Sequence, residues 1–190
     1  MPVEFLILNI EYSTGKQKAQ GGITINLKLK SGEGVFDRTN SHLHRGMEIF
    51  LPSALAQIES RGREFIAEEA HYNGPIGKTL CVETHPGDRI VYAQRVGRAG
   101  LTRFVENRTS EPCSSVVVVL KKAEESSDYV LITAFIGCLS EPEPWDRRAF
   151  NQQADSAEAE RKSREFWNSH ALVWGVEQII IDTITTECPW

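Results

Sequence analysis

Histidine and arginine are the residue types in this sequence that could move protons or bind anions near neutral pH. His71, His85 and His170 are candidates for proton transfer, because the ordinary pKa of imidazole lies close to neutrality. Arginine holds phosphate or carboxylate through two parallel hydrogen bonds. The middle of the chain carries a series of arginines: Arg89, Arg95, Arg98, Arg103 and Arg108. These residues predict an anion-binding site in that part of the chain.

Each of these residues also has an interpretation that involves no chemistry. His71 could cap the C-terminus of a helix, where a positive charge is favoured. His85 directly precedes Pro86 and could be a turn residue, and His170 could be a hydrogen-bonded core histidine. Arginines on an exposed strand face could keep the sheet soluble and pair with acidic side chains elsewhere in the chain. The residues alone leave both interpretations open.

Residue alternation assigns some of these side chains to strand faces. In a predicted strand over 89–96, Arg95 and Tyr92 project from opposite faces. A charge at Arg95 then requires an open face or a cleft. Thr133 is the single hydroxyl in the apolar run 130–136, where it is either a polar contact or simply a β-branched residue with good strand propensity.

Metal and cofactor motifs are weak. His42 and His44 would share one strand face, with Glu48 following, but two or three ligands without a further partner do not define a zinc site. A polar turn is the alternative. The phosphate-loop, Rossmann and nucleophile-elbow patterns are absent. The cysteines form no C-x-x-C pair and are widely spaced: Cys81, Cys113, Cys138 and Cys188. We therefore expect no metal, no cofactor and reduced thiols.

Charge is unevenly distributed along the chain. The 190 residues are 41% hydrophobic and 25% charged, typical of a globular domain, and the net charge is -5. Residues 1–71 have a net charge of -1, residues 72–122 have +4 and residues 123–190 have -8. The negative total argues against a protein coated in nucleic-acid-binding charge. The basic middle segment nevertheless leaves room for a local anion site.

The predicted elements give an α+β fold. Residues 3–11 and 23–29 predict an N-terminal β-hairpin. Pro52 opens a predicted helix that runs to Asn73, with Gly62 as a weak point that could divide it. Its apolar stripe comprises Ala54, Leu55, Ile58, Phe65 and Ile66.

The rest of the chain is predicted as strands followed by an acidic segment. Residues 78–137 predict an antiparallel meander with strands over 89–96, 101–105, 116–120 and 129–136. Residues 151–164 are either a solvated helix or a flexible link, and Phe166, Trp167, His170 and Ala171 then follow at helical spacing. Residues 176–185 predict a last strand that pairs with the N-terminal hairpin.

We expect a single domain over 1–190. It comprises a hairpin extension (1–45), a helix and meander core (46–146), and an acidic helix with a terminal strand (147–190). The apolar N-terminus lacks a preceding basic residue, so it does not predict a signal peptide. No run approaches the ~20 apolar residues of a transmembrane helix. We therefore expect a cytoplasmic protein without a membrane partner.

Several segments resemble a known superfamily. Residues 52–175 resemble the metal-independent ribonuclease-like domains of the barnase–EndoU–colicin–RelE superfamily, especially variants from phages and bacterial toxin systems. The segments that carry the resemblance are GKTLCVETHPGDRIVYAQRVGRAGLTRFVENR, VVVVL, YVLITAFIG, EPEPWD and FWNSHALVWG. Residues 100–105 and 170–173 contribute most. The resemblance implies a helical part followed by a four-stranded antiparallel sheet, whose open face cleaves RNA.

The resemblance also implies roles for the candidate residues. Cleavage without metal needs a base for the ribose 2′-OH, an acid for the leaving oxygen and cations for the phosphorane. The catalytic candidates are His71, His85, Arg95, Arg103, Thr133 and His170. The substrate-binding candidates are Tyr92, Arg98 and Phe104, with Tyr72 as a further stacking surface. One departure from the superfamily is that active toxins are often basic, whereas this chain is acidic.

Two hypotheses follow from the sequence. The first is an RNA-directed, metal-independent endoribonuclease. The second is a non-enzymatic interaction module, in which the acidic C-terminal part binds a protein partner or covers the basic sheet of its own chain. The first requires Arg95, Arg103 and at least one histidine to converge on one cleft.

Overall fold

The computed structural model describes residues 27–43, 46–151, 153–175 and 177–190. The strands, in chain order, are β1 (Val35–Leu43), β2 (Phe65–His71), β3 (Gly77–Thr79), β4 (Cys81–Glu83), β5 (Ile90–Arg95), β6 (Leu101–Val105), β7 (Glu111–Cys113), β8 (Ser115–Lys122), β9 (Tyr129–Ile136), β10 (His170–Val173) and β11 (Ile179–Thr185). The helices are α1 (Leu51–Leu55), α2 (Arg147–Asn151) and α3 (Ser156–Ser169), and a 3-10 turn (Met47–Ile49) precedes α1. The α+β class is confirmed.

Part of the N-terminal prediction lies outside the described residues. Most of the predicted hairpin falls in residues 1–26, and His44 falls in the gap at 44–45. The hairpin and the His42–His44 pair therefore stay predictions. Among the described residues, no group of three or more His, Cys, Asp or Glu side chains is placed to hold a metal ion.

The long helix predicted from Pro52 to Asn73 is wrong. Only α1 is helical, and the chain then turns through Arg61 and Gly62, which have positive φ angles of 48° and 70°. β2 follows and pairs antiparallel with β8 along its whole length. Ile66 and Ala70 are completely buried in this pairing. Tertiary pairing with the apolar β8 therefore outweighs the helical periodicity of the segment.

The main core lies on one face of a four-stranded sheet with the order β1-β9-β8-β2. β8 pairs antiparallel with β2 and β9, whereas β1 runs parallel to β9. The 3-10 turn and α1 cover this face with Met47, Leu51 and Leu55, each at most 2% exposed. They pack in one cluster with the inward side chains of β8 and β9: Val116, Val118, Leu120, Tyr129, Leu131 and Ala134.

A five-stranded sheet has the order β11-β5-β6-β10-β4, and β3 pairs with β7 in a separate two-stranded ribbon. The predicted strands over 78–137 are present, but the continuous meander is wrong. β5 and β6 belong to one sheet and β8 and β9 to the other. The chain leaves the five-stranded sheet at β7, because β7 pairs with β3 instead of with β6. The segment 78–137 therefore contributes strands to two separate sheets and to the ribbon.

The C-terminal elements complete the five-stranded sheet. Asp155 is the N-cap of α3, and its carboxylate accepts a hydrogen bond from the Glu158 N–H at 3.0 Å. The acidic segment is therefore a helix and not a link. β10 starts at His170, so this residue lies in a strand although its spacing predicted a helix. β11 confirms the predicted last strand and pairs with β5, whereas its predicted pairing with the N-terminal hairpin lies outside the described residues. No helix in the described ranges is long and apolar enough to cross a membrane.

Candidate binding cleft

An open cleft of about 720 Å³ lies where the two sheets meet. β9 contributes Thr133 and Phe135 from the four-stranded sheet, and the five-stranded sheet contributes Arg95 and Leu172. The segment 137–146, which leads from β9 to α2, forms another wall. The volume is within the range of ligand-binding clefts, roughly 300–1,000 Å³.

Arg95 is the most enclosed cation of the cleft. Its side chain is only 13% exposed and forms an ion pair with Glu143, which is 9% exposed. The Arg95 Nε–H also donates to Thr102 Oγ1 at 3.0 Å, and the Thr102 hydroxyl donates to Glu143. Glu177 lies 3.6 Å from the guanidinium. The charge that the sequence suggested for phosphate binding is therefore already neutralised by acidic residues of the C-terminal part.

Two further cations lie at the edge of the cleft and are solvent-exposed. Lys78 and Arg98 both line it, and neither has an ion-pair partner among the residues that the structure describes. Four acidic side chains line the same cleft: Glu141, Glu143, Asp146 and Glu177. With three basic and four acidic groups, the cleft carries charges of both signs and a formal charge close to zero.

Trp145 shapes the wall of the cleft through a close contact with Gly100. A Cβ atom on Gly100 would lie 2.2 Å from Trp145 Cγ, so only glycine allows the indole to approach the backbone this closely. The Trp145 Nε1–H is buried and has no hydrogen-bond partner among the described residues. Trp167 fixes the same segment by donating its Nε1–H to the Glu141 carbonyl at 2.9 Å.

A pair of cysteine thiols also lines the cleft, and sequence reasoning missed it. Cys81 belongs to β4, and Cys138 follows β9 by two residues, so each sheet supplies one sulfur. The Cys138 Sγ lies 3.9 Å from the Cys81 carbonyl oxygen, so the Cys138 thiol packs against the Cys81 backbone. The residues are 57 positions apart. No local spacing pattern could therefore have revealed the pair.

Other predicted site residues form a second group on the opposite face of the five-stranded sheet. Tyr92 and Arg103 are cross-strand partners, and strand alternation places both on the face opposite Arg95. The Arg103 guanidinium donates to Thr84 Oγ1 at 3.1 Å and to the His170 carbonyl at 2.8 Å. Burial, followed by a hydrogen bond with Cys188, raises the pKa of Tyr92 to about 12. The predicted residues are thus divided between two sites.

His170 and Phe104 do not belong to this second group, because strand pairing places both on the face of Thr102 and Leu172. The His170 ring stacks on Phe166 with a centroid distance of 4.1 Å, and its Nδ1 lies 3.1 Å from the Phe166 carbonyl oxygen. Phe104 is completely buried and packs edge-on against Trp174. The prediction that Phe104 stacks on an RNA base is therefore wrong, because the ring has no exposed face.

The remaining candidates lie apart from both groups. His71, at the end of β2, has a side chain 70% exposed, with Nδ1 3.3 Å from Ser115 Oγ. His85 precedes β5 in an exposed turn, where its backbone N–H donates to Asp88 Oδ2 at 2.8 Å. Tyr72 packs against Phe50 instead of presenting a free stacking surface. In the described part of the chain, no histidine lines the cleft.

Comparison with known proteins gives little similarity. No protein-family model matches the chain, and no curated protein matches it. One similar solved structure is the crystal structure of a conserved hypothetical protein from Toxoplasma gondii ME49. It is 14% identical, with a TM-score of 0.47, and the match covers 71% of this chain and 89% of that chain.

Proposed function

We propose that the protein is a non-enzymatic interaction module that binds a short segment of a partner protein in the cleft between its sheets. The observation that carries this proposal is the composition of the cleft, which combines apolar walls with charges of both signs. Protein-recognition sites commonly have this composition, with an apolar centre and a polar rim.

The charge balance of the cleft favours a peptide over a polyanion. RNA binding requires several unpaired cations along a backbone track. Here Arg95 is held by Glu143 and Glu177, which leaves Arg98 and Lys78 as the exposed cations of the cleft. A peptide needs only one or two such contacts to fix its orientation.

The lining residues indicate what the bound segment would carry. An acidic side chain would pair with Arg98 or Lys78 at the rim, where the exposed cations lie. A neighbouring apolar side chain would pack against Leu172, Phe135 or Trp145. The expected recognition sequence therefore combines an acidic residue with an aliphatic or aromatic residue close to it.

Selection of random peptides displayed on phage tests this proposal. Panning against the full chain should enrich sequences that combine an acidic and an apolar residue. Arg98→Glu should remove the enrichment, because it replaces an attractive rim charge by a repulsive one. Arg148→Glu is the matched control, since Arg148 is also exposed but does not line the cleft. Enrichment of the same peptides on both variants would refute the cleft as the binding site.

A second candidate function is the ribonuclease activity implied by the superfamily resemblance. The observation that favours it is that Tyr92 and Arg103 are cross-strand partners on one face of the five-stranded sheet, where Arg103 also contacts the His170 backbone carbonyl. These two side chains supply a cation and a hydroxyl, which are among the types of group that metal-independent cleavage needs, whereas the His170 imidazole stacks on Phe166. Arg103 is only 9% exposed, however, and its contacts to Thr84 and His170 are internal.

RNA cleavage in the presence of EDTA distinguishes the two candidates. If the protein is a ribonuclease, the wild type cleaves and Arg103→Ala loses the activity by about 100-fold or more, as for removal of a charged transition-state contact. Equal inactivity of the two proteins, with both shown to be folded by circular dichroism, supports the interaction module.

A further inference from the structure

We propose that Cys81 and Cys138 form a peroxide-sensitive dithiol, which closes to a disulfide on oxidation and links the two sheets across the cleft. The proposal concerns the cysteine pair itself and does not depend on which ligand the cleft binds.

The geometry of the pair meets the first requirement for such a bond. The Cys138 Sγ lies 3.9 Å from the Cys81 carbonyl oxygen and both residues line the same cleft, so they are neighbours without any rearrangement of secondary structure. Both residues are half-buried and line the open cleft, which gives a small oxidant access to them. The other two cysteines differ, since Cys113 is buried and Cys188 is exposed near the end of the chain.

The environment assigns different roles to the two sulfurs. The hydrogen bond from Cys81 lowers the pKa of Cys138 to about 7, and a hydrogen bond with Thr79 acts in the same direction. Burial and the carboxylate of Glu69 oppose this shift. The pKa of Cys81 is raised, mainly by the same hydrogen bond and then by burial, with a further contribution from Glu143. Cys138 is therefore the thiolate that reacts first, because thiolates and not thiols are the nucleophiles.

The reaction proceeds in two balanced steps with hydrogen peroxide as oxidant. The Cys138 thiolate attacks one peroxide oxygen, so that an S–O bond forms and the O–O bond breaks. Sulfur is oxidised to a sulfenic acid, and the peroxide is reduced to water after proton uptake. The Cys81 sulfur, having lost its proton, then attacks the sulfenic sulfur. The S–S bond forms, the S–O bond breaks, and the departing hydroxide leaves as water with that proton.

The consequence of the bond follows from the fold. Cys81 lies in β4, at one edge of the five-stranded sheet, and Cys138 follows β9 of the four-stranded sheet. A disulfide between them would fix the spacing of the two sheets at the cleft. Oxidation would thus restrict the opening of the cleft without altering either hydrogen-bonded sheet.

Peptide mapping of the peroxide-treated full chain tests the proposal. The protein is exposed to a small excess of hydrogen peroxide, blocked with N-ethylmaleimide and digested without reduction. We expect a cross-linked peptide that joins Cys81 to Cys138, with the mass loss of two hydrogens and at least tenfold more abundant than any link to Cys188. Absence of this peptide, or an equal abundance of links to Cys188, would overturn the proposal.

Two variants add a check that does not depend on the cross-link. Cys81→Ala should trap Cys138 as a sulfenic acid that dimedone labels, and Cys188→Ala should leave the disulfide unchanged. In the wild type, alkylation of Cys138 by iodoacetamide should reach half its maximal rate at about pH 7. If Cys81→Ala does not fold, the cross-link and the pH dependence of alkylation in the wild type still test the proposal. A half-maximal rate well above pH 8 would contradict the assignment of Cys138 as the reactive sulfur.

Discussion

At the scale of single residues, Arg95 shows how burial and pairing changed the interpretation of a charge. The position of Arg95 in its strand predicted that the charge needs an open face or a cleft. In the structure Arg95 lines a cleft. The alternation of residues in the strand could not predict that Glu143 pairs with Arg95, because Glu143 lies 48 residues away in the sequence. A local pattern predicts the direction of a side chain but not its distant partner.

Removal of one member of this ion pair should destabilise the protein. Arg95→Met leaves the carboxylate of Glu143 enclosed without its main counter-charge, so we expect the free energy of unfolding to fall by about 3–5 kcal/mol. Urea unfolding followed by circular dichroism measures this loss. The double replacement Arg95→Met with Glu143→Leu should recover most of it, because neither charge then remains. A double variant as unstable as Arg95→Met alone would show that the charge imbalance is not the cause.

Gly100 should be intolerant of even one added methyl group. The Cβ of Gly100→Ala would lie 2.2–2.6 Å from Trp145 atoms, so the indole must move. Overpacking of this kind costs about 1–3 kcal/mol, and the melting temperature should fall accordingly. Gly74→Ala is the matched control, since its added Cβ meets nothing within 4 Å. The same melting temperature for both variants would mean that Trp145 can shift without cost.

At the scale of elements, strands were predictable and the helix was not. The apolar runs of β8 and β9 and the alternation of β5 and β6 gave strands close to those observed. In β2, by contrast, apolar residues recur at a spacing that fits a helix, and only the pairing with β8 makes the segment a strand. The sequence also could not predict which strands belong to which sheet. β7, for example, pairs with β3, which lies more than 30 residues earlier in the chain.

The start of α3 gives a prediction at this scale. The Asp155 carboxylate caps the helix by accepting the Glu158 N–H. Asp155→Ala should therefore lower the free energy of unfolding by about 1 kcal/mol, the usual cost of a lost N-cap. Asp155→Asn should retain most of the stability, because its carbonyl oxygen can accept the same bond. Equal losses for alanine and asparagine in thermal unfolding would argue against the capping role.

At the scale of the whole molecule, four of the eight basic side chains of residues 72–122 form ion pairs in the structure: Arg89, Arg95, Arg108 and Lys122. Arg89 pairs with Glu106 at 3.0 Å, and Arg108 pairs with Asp88 and Glu111. Arg95 instead pairs with acidic residues of the C-terminal part. Only the fold reveals this compensation, because the charge sums along the sequence cannot show which groups are neighbours. The net charge of +4 over residues 72–122 therefore leaves out the acidic partners that other segments of the chain supply.

The affinity of the phage-selected peptide for the full chain shows whether the cleft is the binding site. Isothermal titration should show that Arg98→Glu weakens binding at least tenfold relative to wild type, a change of about 1.4 kcal/mol. Arg148→Glu should bind as the wild type does. Equal affinity of all three proteins would contradict the account, because the peptide would then bind outside the cleft.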